Sequence, residues 1–333
     1  MDLTARSRRG TSRCIHEHSV SERSPSLTPS ESAGAMPLFS VVIPVRDGAA
    51  TIVRAVSSVL NQTYLHVEAV VVVNGTTDRT VETLAAISDA RLRIIQLDQA
   101  GRSHARNVGA RAAKGEFVIF LDADDELLPT RVDHARLLLS RGFDAVQGAT
   151  RYVPEVGEGT TVLPYLGKNF IGRLHVRNTI AINSMTLRRR VCAAFPEETE
   201  YCEDWEFWLR TLPGLRIATY PIPDCVVHIL ANSTSRDVAR MKSHEIPVYA
   251  GHHPPKMPLW WGFKRACLLT VALVFYADVE PIPVVERAVL NSPPMGAAVR
   301  ALRRLPRSRS VARRFIRLTF RAHQARAGGV LWP

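Results

Sequence analysis

A cluster of four acidic side chains follows directly after an apolar run. In EFVIFLDADDEL, residues 116–127, the run leads into Asp122, Asp124, Asp125 and Glu126. Acids at positions i and i+2 beyond a strand end can direct their carboxylates to one point, where they repel each other unless a counter-charge is present. A divalent cation removes that repulsion, and Mg²⁺ is usually held by one or two carboxylates together with substrate phosphates. The cluster therefore predicts a metal site for a diphosphate, although acids that only stabilise the N-terminus of the next helix are the alternative.

Apolar runs and amphipathic segments alternate around this cluster. FSVVIPV (39–45) and VEAVVVV (67–73) are continuous apolar runs, typical of strands buried on both faces. The predicted order is strand 39–45, helix 49–62, strand 67–73, helix 77–87, strand 92–97, helix 103–114, strand 116–122 and helix 129–141. This alternation predicts an α/β fold with a Rossmann-like, mostly parallel sheet and helices on both faces.

Polar segments follow three of the predicted strands. They are Arg46–Asp47, Asn74–Gly75 and the acidic cluster at 122–126. Ligands of parallel sheets bind beyond the carboxyl ends of the strands. We therefore expect these three segments to lie together at one edge of the sheet and to form a binding site.

Three motifs stand in order along the chain: SVVIPVRDGAATIVRAVSSVLNQTY (40–64), GRSHARNVGARAAKGEFVIFLDADD (101–125) and EDWEFWLR (203–210). Together they make the chain resemble the family 2 glycosyltransferases, which have the GT-A fold. The first resembles the opening strand and first helix of that family, the second the run that leads into its DxD motif, and the third its acceptor-side segment. The resemblance covers about residues 39–235. It implies an inverting, metal-dependent transfer of a sugar from a nucleotide-sugar donor to an acceptor hydroxyl, in the assembly of a surface polysaccharide or glycolipid.

The resemblance also implies which residues bind the donor, usually a UDP-sugar. Pro44, Arg46 and Asp47 would contact the nucleotide, and Arg106 would face the diphosphate or the ribose. Asn74 stands where the family usually has an aspartate that reads the base edge, and Arg46 stands where a tyrosine is frequent. Both departures leave the nucleobase open. A plain turn at Asn74 and a surface position for Arg106 are the alternatives.

Metal binding and catalysis are assigned in the same way. The resemblance implies that Asp124 is the direct ligand of Mg²⁺ or Mn²⁺ and that Asp122 contacts the ribose or a metal-bound water. Asp204 would be the catalytic base, unless Asp204 and Glu203 only begin a helix. His228 stands where many GT-A enzymes have a histidine near the metal or the diphosphate, although a lone histidine after an apolar strand can also be structural.

Composition and resemblance together divide the chain into three parts. The predicted parts are a disordered arm (1–36), a GT-A domain (37–235) with a nucleotide-sugar half (37–128) and an acceptor half (129–235), and a helical, basic C-terminal extension (236–333). The arm has no apolar run, so we expect no signal peptide. The five cysteines are odd in number and widely spaced, as is typical of reduced thiols. We therefore expect a cytoplasmic protein that works at the inner face of the cell membrane.

Two C-terminal segments could contact a membrane. LWWGFKRACLLTVALVFYA (259–277) has an uncharged part too short to span a bilayer, so a core helix and an interfacial helix both remain open. Between Ala297 and Pro333 there are ten arginines and no acid. Because apolar residues alternate with these arginines, parts of the tail could form a basic amphipathic helix on anionic lipid.

Two other functions compete with a glycosyltransferase. A net charge of +12 and a pI of about 10.0 are typical of nucleic-acid-binding proteins. The tail has no base-reading element, so we expect no specific nucleic acid as a partner; we expect a nucleotide-sugar donor and a glycan or lipid-linked acceptor. The other alternative is an inactive homologue that keeps the fold while Asn74 spoils the donor site.

Overall fold

The computed structural model describes most of the first three quarters of the chain. The described residues are 17–18, 36–165, 169–230, 237–252, 261–262, 264–266 and 268–269. Most of the predicted arm (1–36), most of the segment 259–277 and the whole arginine-rich tail lie outside these residues.

The described residues form a mixed α/β structure. Its strands are β1 (Glu17–His18), β2 (Phe39–Val45), β3 (Val67–Asn74), β4 (Leu92–Leu97), β5 (Phe117–Phe120), β6 (Glu126–Leu127), β7 (Ala145–Pro154), β8 (Thr160–Val162), β9 (Met185–Arg188) and β10 (Ile217–Ile229). Its helices are α1 (Ile52–Leu60), α2 (Thr80–Ala85), α3 (Arg102–Ala112), α4 (Arg131–Leu139), α5 (Phe170–Leu174), α6 (Glu203–Thr211) and α7 (Val238–Gly251), with short 3-10 helices at Ile182–Ser184 and Arg189–Val191.

All of the described strands belong to one sheet, whose order is β1-β10-β7-β9-β5-β2-β3-β4. The strands β5, β2, β3 and β4 pair in parallel, as the alternating sequence predicts. β9 is antiparallel to both β5 and β7, and β10 returns parallel to β7. β6 pairs antiparallel with β10, and β8 pairs antiparallel with β7. The sheet therefore combines a parallel half with a mixed half.

Helices cover both faces of the sheet. On one face, α1, α2 and α4 pack through side chains such as Ile52, Leu84 and Val132, all completely buried. On the other face, α3 and α6 pack through side chains such as Ala105 and Trp208. Burial on both faces explains the continuous apolar runs of β2 and β3, every residue of which is buried.

Helix α1 begins later than predicted because the residues before it are held by hydrogen bonds to Asp78 and Thr80. α1 begins at Ile52 rather than at residue 49. The backbone N–H of Gly48 donates to Thr80 Oγ1 at 2.9 Å, and that of Ala49 donates to Asp78 Oδ2 at 3.0 Å. These bonds fix the residues before α1 in a loop. None of the helices among the residues described here combines the length and the apolar character needed to cross a bilayer.

Candidate active site

The three predicted segments do meet at one edge of the sheet. β2 pairs in parallel with β3 on one side and with β5 on the other, so their carboxyl ends lie side by side. Arg46–Asp47, Asn74–Gly75 and Asp122 follow these three ends. Pro44, which the resemblance assigns to the nucleotide, is buried within β2, opposite Val72.

Asp47 joins the loop after β2 to the loop after β3. Its Oδ1 accepts hydrogen bonds from the backbone N–H of Thr77 at 2.7 Å and from Thr77 Oγ1 at 3.1 Å. The hydrogen bond from the Thr77 N–H lowers the pKa of Asp47. Asp47 has a φ of 50°, the left-handed region. Arg46 beside it has a side chain that is 57% exposed. The carboxylate of Asp47 thus links the loop after β2 to the loop after β3. The side chain of Arg46 lies at the surface.

Asn74 ties the end of β3 to both of its neighbours. Its side chain is buried, its Nδ2 donates to the carbonyl of Val45 at 2.9 Å, and its Oδ1 accepts from the N–H of Gly101 at 3.1 Å. Gly75 follows with a φ of 64°, and a Cβ there would lie 2.8 Å from the backbone nitrogen of Ala100. The amide therefore connects β2, β3 and the start of α3.

Arg106 is a buried bridge and not the surface residue that was the alternative. It lies on α3 and is 1% exposed. One guanidinium nitrogen is 2.6 Å from Asp122 Oδ1 and the other is 2.9 Å from Glu203 Oε1. Burial alone would lower the pKa of Arg106, but the charges of Asp122 and Glu203 outweigh burial and raise it. The bridge joins the acidic turn after β5 to the first residue of α6.

Asp124 has the features expected of a metal ligand. Its pKa is raised by burial and then by the charge of Asp122, while the nearby charges of Arg54 and His228 oppose the rise. Arg54 donates to its backbone carbonyl. In the part of the chain that the structure describes, no side chain pairs with its carboxylate. A divalent cation fits this carboxylate, which has no side-chain partner.

The described residues contain no group of three His, Cys, Asp or Glu side chains that could hold a metal ion. A cation at Asp124 would therefore need ligands from the phosphates of a substrate and from water, as is usual for Mg²⁺.

His228 lies beside the acidic turn, on β10. Its Nε2 is 3.0 Å from Glu126 Oε1, and its backbone N–H donates to Asp125 Oδ1 at 2.9 Å. Asp125 also accepts from Asn183 Nδ2 at 3.1 Å. Burial, together with the charges of its acidic neighbours, raises the pKa of Asp125 well above its usual range. Asp125 thus anchors the turn to β10, a role that the sequence did not indicate.

Asp204 is the second residue of α6, at the end of the helix that faces Arg106. Its Oδ2 accepts from Asn178 Nδ2 at 2.8 Å, and its Oδ1 accepts from the backbone N–H of Trp205 at 2.7 Å. Burial first, and then the negative charge of Glu203, raise the pKa of Asp204 to about 6. The burial of Trp205 and Trp208 holds α6 in place. Asp204 is therefore a fixed carboxylate that is ionised at neutral pH and more basic than an ordinary aspartate.

The acidic turn and the start of α6 lie on the same side of the sheet edge. Arg106 contacts Asp122 of the turn and Glu203, the neighbour of Asp204. Burial raises the pKa of Tyr152, and interactions with Cys225, Asp125 and Asp204 raise it further. Carboxylates from sequence segments far apart thus surround one part of the edge.

Comparison with known proteins finds similarity to one family. Residues 40–193, a little under half of the chain, match the family described as glycosyl transferase family 2. The succinoglycan biosynthesis protein ExoO of Rhizobium meliloti is 42% identical over 98 residues, 29% of this chain and 28% of that protein. An uncharacterized glycosyltransferase of Haemophilus influenzae is 26% identical over 219 residues, 60% of this chain and 68% of that protein. The chain spans only about a third or less of the length of several curated relatives that it matches.

Solved structures establish the GT-A fold. The mannosyltransferase PcManGT from Pyrobaculum calidifontis, solved with GDP-Man and Mn²⁺, matches with a TM-score of 0.53 and 20% identity over 87% of each chain. TarS 1–349 of S. aureus, solved with UDP-GlcNAc, matches with a TM-score of 0.52 and 18% identity over 76% of this chain and 78% of that chain. At these identities the likeness concerns the fold alone, which agrees with the fold expected from the three motifs.

Proposed function

We propose that the protein is an inverting, metal-dependent glycosyltransferase that moves a sugar from a nucleotide-sugar donor to an acceptor hydroxyl. The observation that carries this proposal is the Arg106 bridge. It joins Asp122, on the donor side, to Glu203, which directly precedes the candidate base Asp204. A donor bound at the acidic turn and an acceptor bound at α6 would therefore meet at one place.

The donor side supplies charge stabilisation. Asp124 would hold Mg²⁺ or Mn²⁺ together with the donor diphosphate, and Asp122 would contact the ribose or a metal-bound water. The metal supplies positive charge for the departing diphosphate. Arg106 adds a second, buried positive charge close to the same place. His228, beside Glu126, would contact the metal or the diphosphate from β10.

The nucleotide would bind over the loops after β2 and β3. Pro44 and Asp47 shape this surface, and Arg46 has an exposed guanidinium that can stack on a base face. Asn74 lies at the same edge, but both ends of its amide already bond to the protein. We favour a UDP-sugar as donor. A solved relative binds UDP-GlcNAc and another binds GDP-Man, so both bases belong in a donor screen.

The acceptor side supplies the base. Asp204 would take the proton from the acceptor hydroxyl as that oxygen attacks the anomeric carbon. Asn178 and the Trp205 N–H hold the carboxylate in position. A single base on the face opposite the leaving diphosphate gives inversion at the anomeric carbon. The acceptor would be a glycan or a lipid-linked glycan, and the name of ExoO supports a role in polysaccharide biosynthesis.

Asp204→Asn tests the proposal. The full chain is screened with UDP-sugars and GDP-sugars in the presence of Mn²⁺, and release of the nucleoside diphosphate is measured. We expect the substitution to reduce release about 10²- to 10⁴-fold because the base is lost. Nucleotide binding, measured by thermal shift, should change by less than about twofold, because Asp204 lies on the acceptor side.

Glu82→Gln, at an exposed position on α2, is the matched control. Undiminished release by the Asp204 variant would remove Asp204 from the role of base.

An inactive homologue is the second candidate, and the bonds of Asn74 favour it. If the amide of Asn74 cannot leave Val45 and Gly101, the base-reading contact of the family is lost. The same screen separates the two candidates. An inactive homologue would bind a nucleotide, or none, and release no nucleoside diphosphate from any donor tested.

A further inference from the structure

A group of basic side chains lies next to the candidate base. Arg173 is on α5, and Arg177 follows four residues later. Arg265 Nε donates to the backbone carbonyl of His175 at 3.2 Å. This bond brings the segment of Lys264, the preceding residue, next to the stretch that carries the two arginines, and the charges of both arginines act on Lys264. Three cationic side chains from two distant segments thus come together.

The stretch that carries the two arginines is bonded directly to α6. The indole Nε1 of Trp205 donates to the carbonyl of Leu174 at 2.7 Å, and Asn178 donates to Asp204 at 2.8 Å. Leu174 and Asn178 are the immediate neighbours, in sequence, of Arg173 and Arg177. The basic group therefore borders the place where an acceptor hydroxyl would meet Asp204.

Two of these side chains, Arg173 and Lys264, carry positive charges that no acidic side chain among the described residues balances. The guanidinium of Arg173 lies 4.5 Å from the ring centroid of Tyr165. Among the residues that the structure describes, neither Arg173 nor Lys264 has an acidic partner. Burial, and then the positive charge of its basic neighbours, lower the pKa of each. Arg177 faces Glu245 on α7, whose charge offsets part of its own.

We propose that Arg173, Arg177 and Lys264 bind a phosphate group of the acceptor, next to the hydroxyl that Asp204 deprotonates. This inference rests on the proposed function, because it concerns the acceptor of that same reaction. The donor diphosphate would already be held by Asp124 and its metal, so the basic group serves a different anion. Arginine matches phosphate oxygens with two parallel hydrogen bonds, and lysine adds a point charge.

A phosphate suits the group better than a carboxylate does. A phosphate monoester carries a charge of about −1.5 to −2 at pH 7, against −1 for a carboxylate. Arg173 and Lys264, two cations without an acidic partner among the described residues, together match more than one negative charge. The contact of Arg173 with Tyr165 also holds the guanidinium in place before the anion arrives.

Binding of simple phosphate compounds to the full chain tests the inference. The probes are octyl phosphate and glycerol phosphate, with octanol and glycerol as their neutral counterparts, and the readout is calorimetry. We expect the phosphates to bind and the neutral compounds to bind at least about tenfold more weakly. The double variant Arg173→Gln/Lys264→Gln should raise the Kd for phosphates at least tenfold. Tighter binding of octyl phosphate indicates a lipid phosphate, whereas equal binding indicates a phosphate on a soluble glycan.

The matched control is Lys114→Gln/Arg141→Gln, which removes the same charges at two exposed positions away from this group. It should bind the phosphates as the unmodified chain does. Equal affinity of the Arg173/Lys264 variant and the unmodified chain, or no phosphate binding at millimolar concentration, would overturn the inference. If the double variant does not fold, Lys264→Gln alone should still weaken binding at least about threefold.

Donor binding separates a failure of this inference from a failure of the proposed function. The Arg173/Lys264 variant should retain nucleotide binding and metal-dependent release of nucleoside diphosphate by hydrolysis. If the unmodified chain releases nucleoside diphosphate but does not bind phosphates, only the acceptor phosphate is excluded. If it neither binds nor cleaves any nucleotide sugar, the proposed function itself fails.

Discussion

The carboxylate of Asp204 accepts one hydrogen bond on each oxygen, from Asn178 and from the backbone of Trp205. Some of its surroundings raise its pKa and others lower it. Burial and the charge of Glu203 raise it, while Arg106 and the bond from the Trp205 N–H lower it. The result, about 6, gives a base that is ionised at neutral pH yet binds a proton more tightly than an exposed aspartate does.

The pH dependence of the reaction should follow the pKa of Asp204. Because only the ionised form accepts a proton, kcat/KM should fall as the pH drops below about 6. Asn178→Ala removes a hydrogen bond that stabilises the ionised form, so the pKa of Asp204 rises. We expect the acid limb of the pH profile of kcat/KM to move upward by about one unit.

The pH at which activity falls distinguishes an effect of Asn178 on the pKa of Asp204 from a general loss of activity. Asn61→Ala, at an exposed residue after α1, should leave the limb where it is. If Asn178→Ala lowers activity equally at every pH, its bond to Asp204 has no role in tuning the base. The KM for the donor should stay unchanged, since Asn178 contacts the acceptor-side carboxylate.

Motif spacing could indicate several candidate site residues but not the bonds between them. Asp122, Arg106 and Asp204 stand in motifs that can be read along the chain. The bond of Arg106 to Glu203 joins positions 97 residues apart and exists only because α3 and α6 cover the same face of the sheet. Asn178 lies in a stretch without a motif, so its contact with Asp204 had no signal in the sequence.

At the scale of elements, the parallel half of the sheet was predictable and the mixed half was not. β2, β3 and β5 are buried on both faces and therefore appear as continuous apolar runs. β9 has only four residues, MTLR, and its place between β5 and β7 depends on pairings such as Phe117 with Arg188. β6 has two residues and is defined by its pairing with β10 alone. Neither strand has a periodicity that a sequence pattern can detect.

Asn74 connects three elements, and its amide explains why an aspartate would fit poorly there. Its Nδ2 donates to the carbonyl of Val45, so the carboxylate of Asn74→Asp would place an oxygen against another oxygen. We expect this substitution to lower the free energy of unfolding by about 1–3 kcal/mol, measured by urea denaturation. Asn61→Asp, at an exposed position, should change it by less than about 0.5 kcal/mol.

Donor binding by Asn74→Asp tests whether the side chain at position 74 contacts the nucleobase. If Asn74 serves only to connect β2, β3 and α3, nucleotide affinity should fall together with stability. A variant that is as stable as the unmodified chain, and that binds UDP-sugars more tightly, would contradict this structural role. It would also indicate that the side chain is free to turn toward the donor.

For the whole molecule, the positions of the charges along the chain indicate more about its binding partners than the net charge does. The net charge is +12, and the 37 residues from Ala297 to Pro333 contribute ten arginines without any acid. The candidate active-site edge, in contrast, is rich in carboxylates around the Arg106 bridge. A chain that has both a basic segment and an acidic sheet edge would suit an enzyme whose donor reaches a metal site while its acceptor stays at an anionic surface.

Removing residues 297–333 should therefore weaken binding to anionic membranes. Each arginine near such a surface contributes about 1 kcal/mol, so ten of them can hold a protein on the lipid. We expect the full chain to float with vesicles that contain phosphatidylserine and not with vesicles of phosphatidylcholine alone. High salt should release it, because screening shortens the reach of the charges.

The shortened chain should stay with the soluble fraction while keeping its release of nucleoside diphosphate. Equal flotation of both forms would assign membrane binding to another part of the chain, such as the segment 259–277.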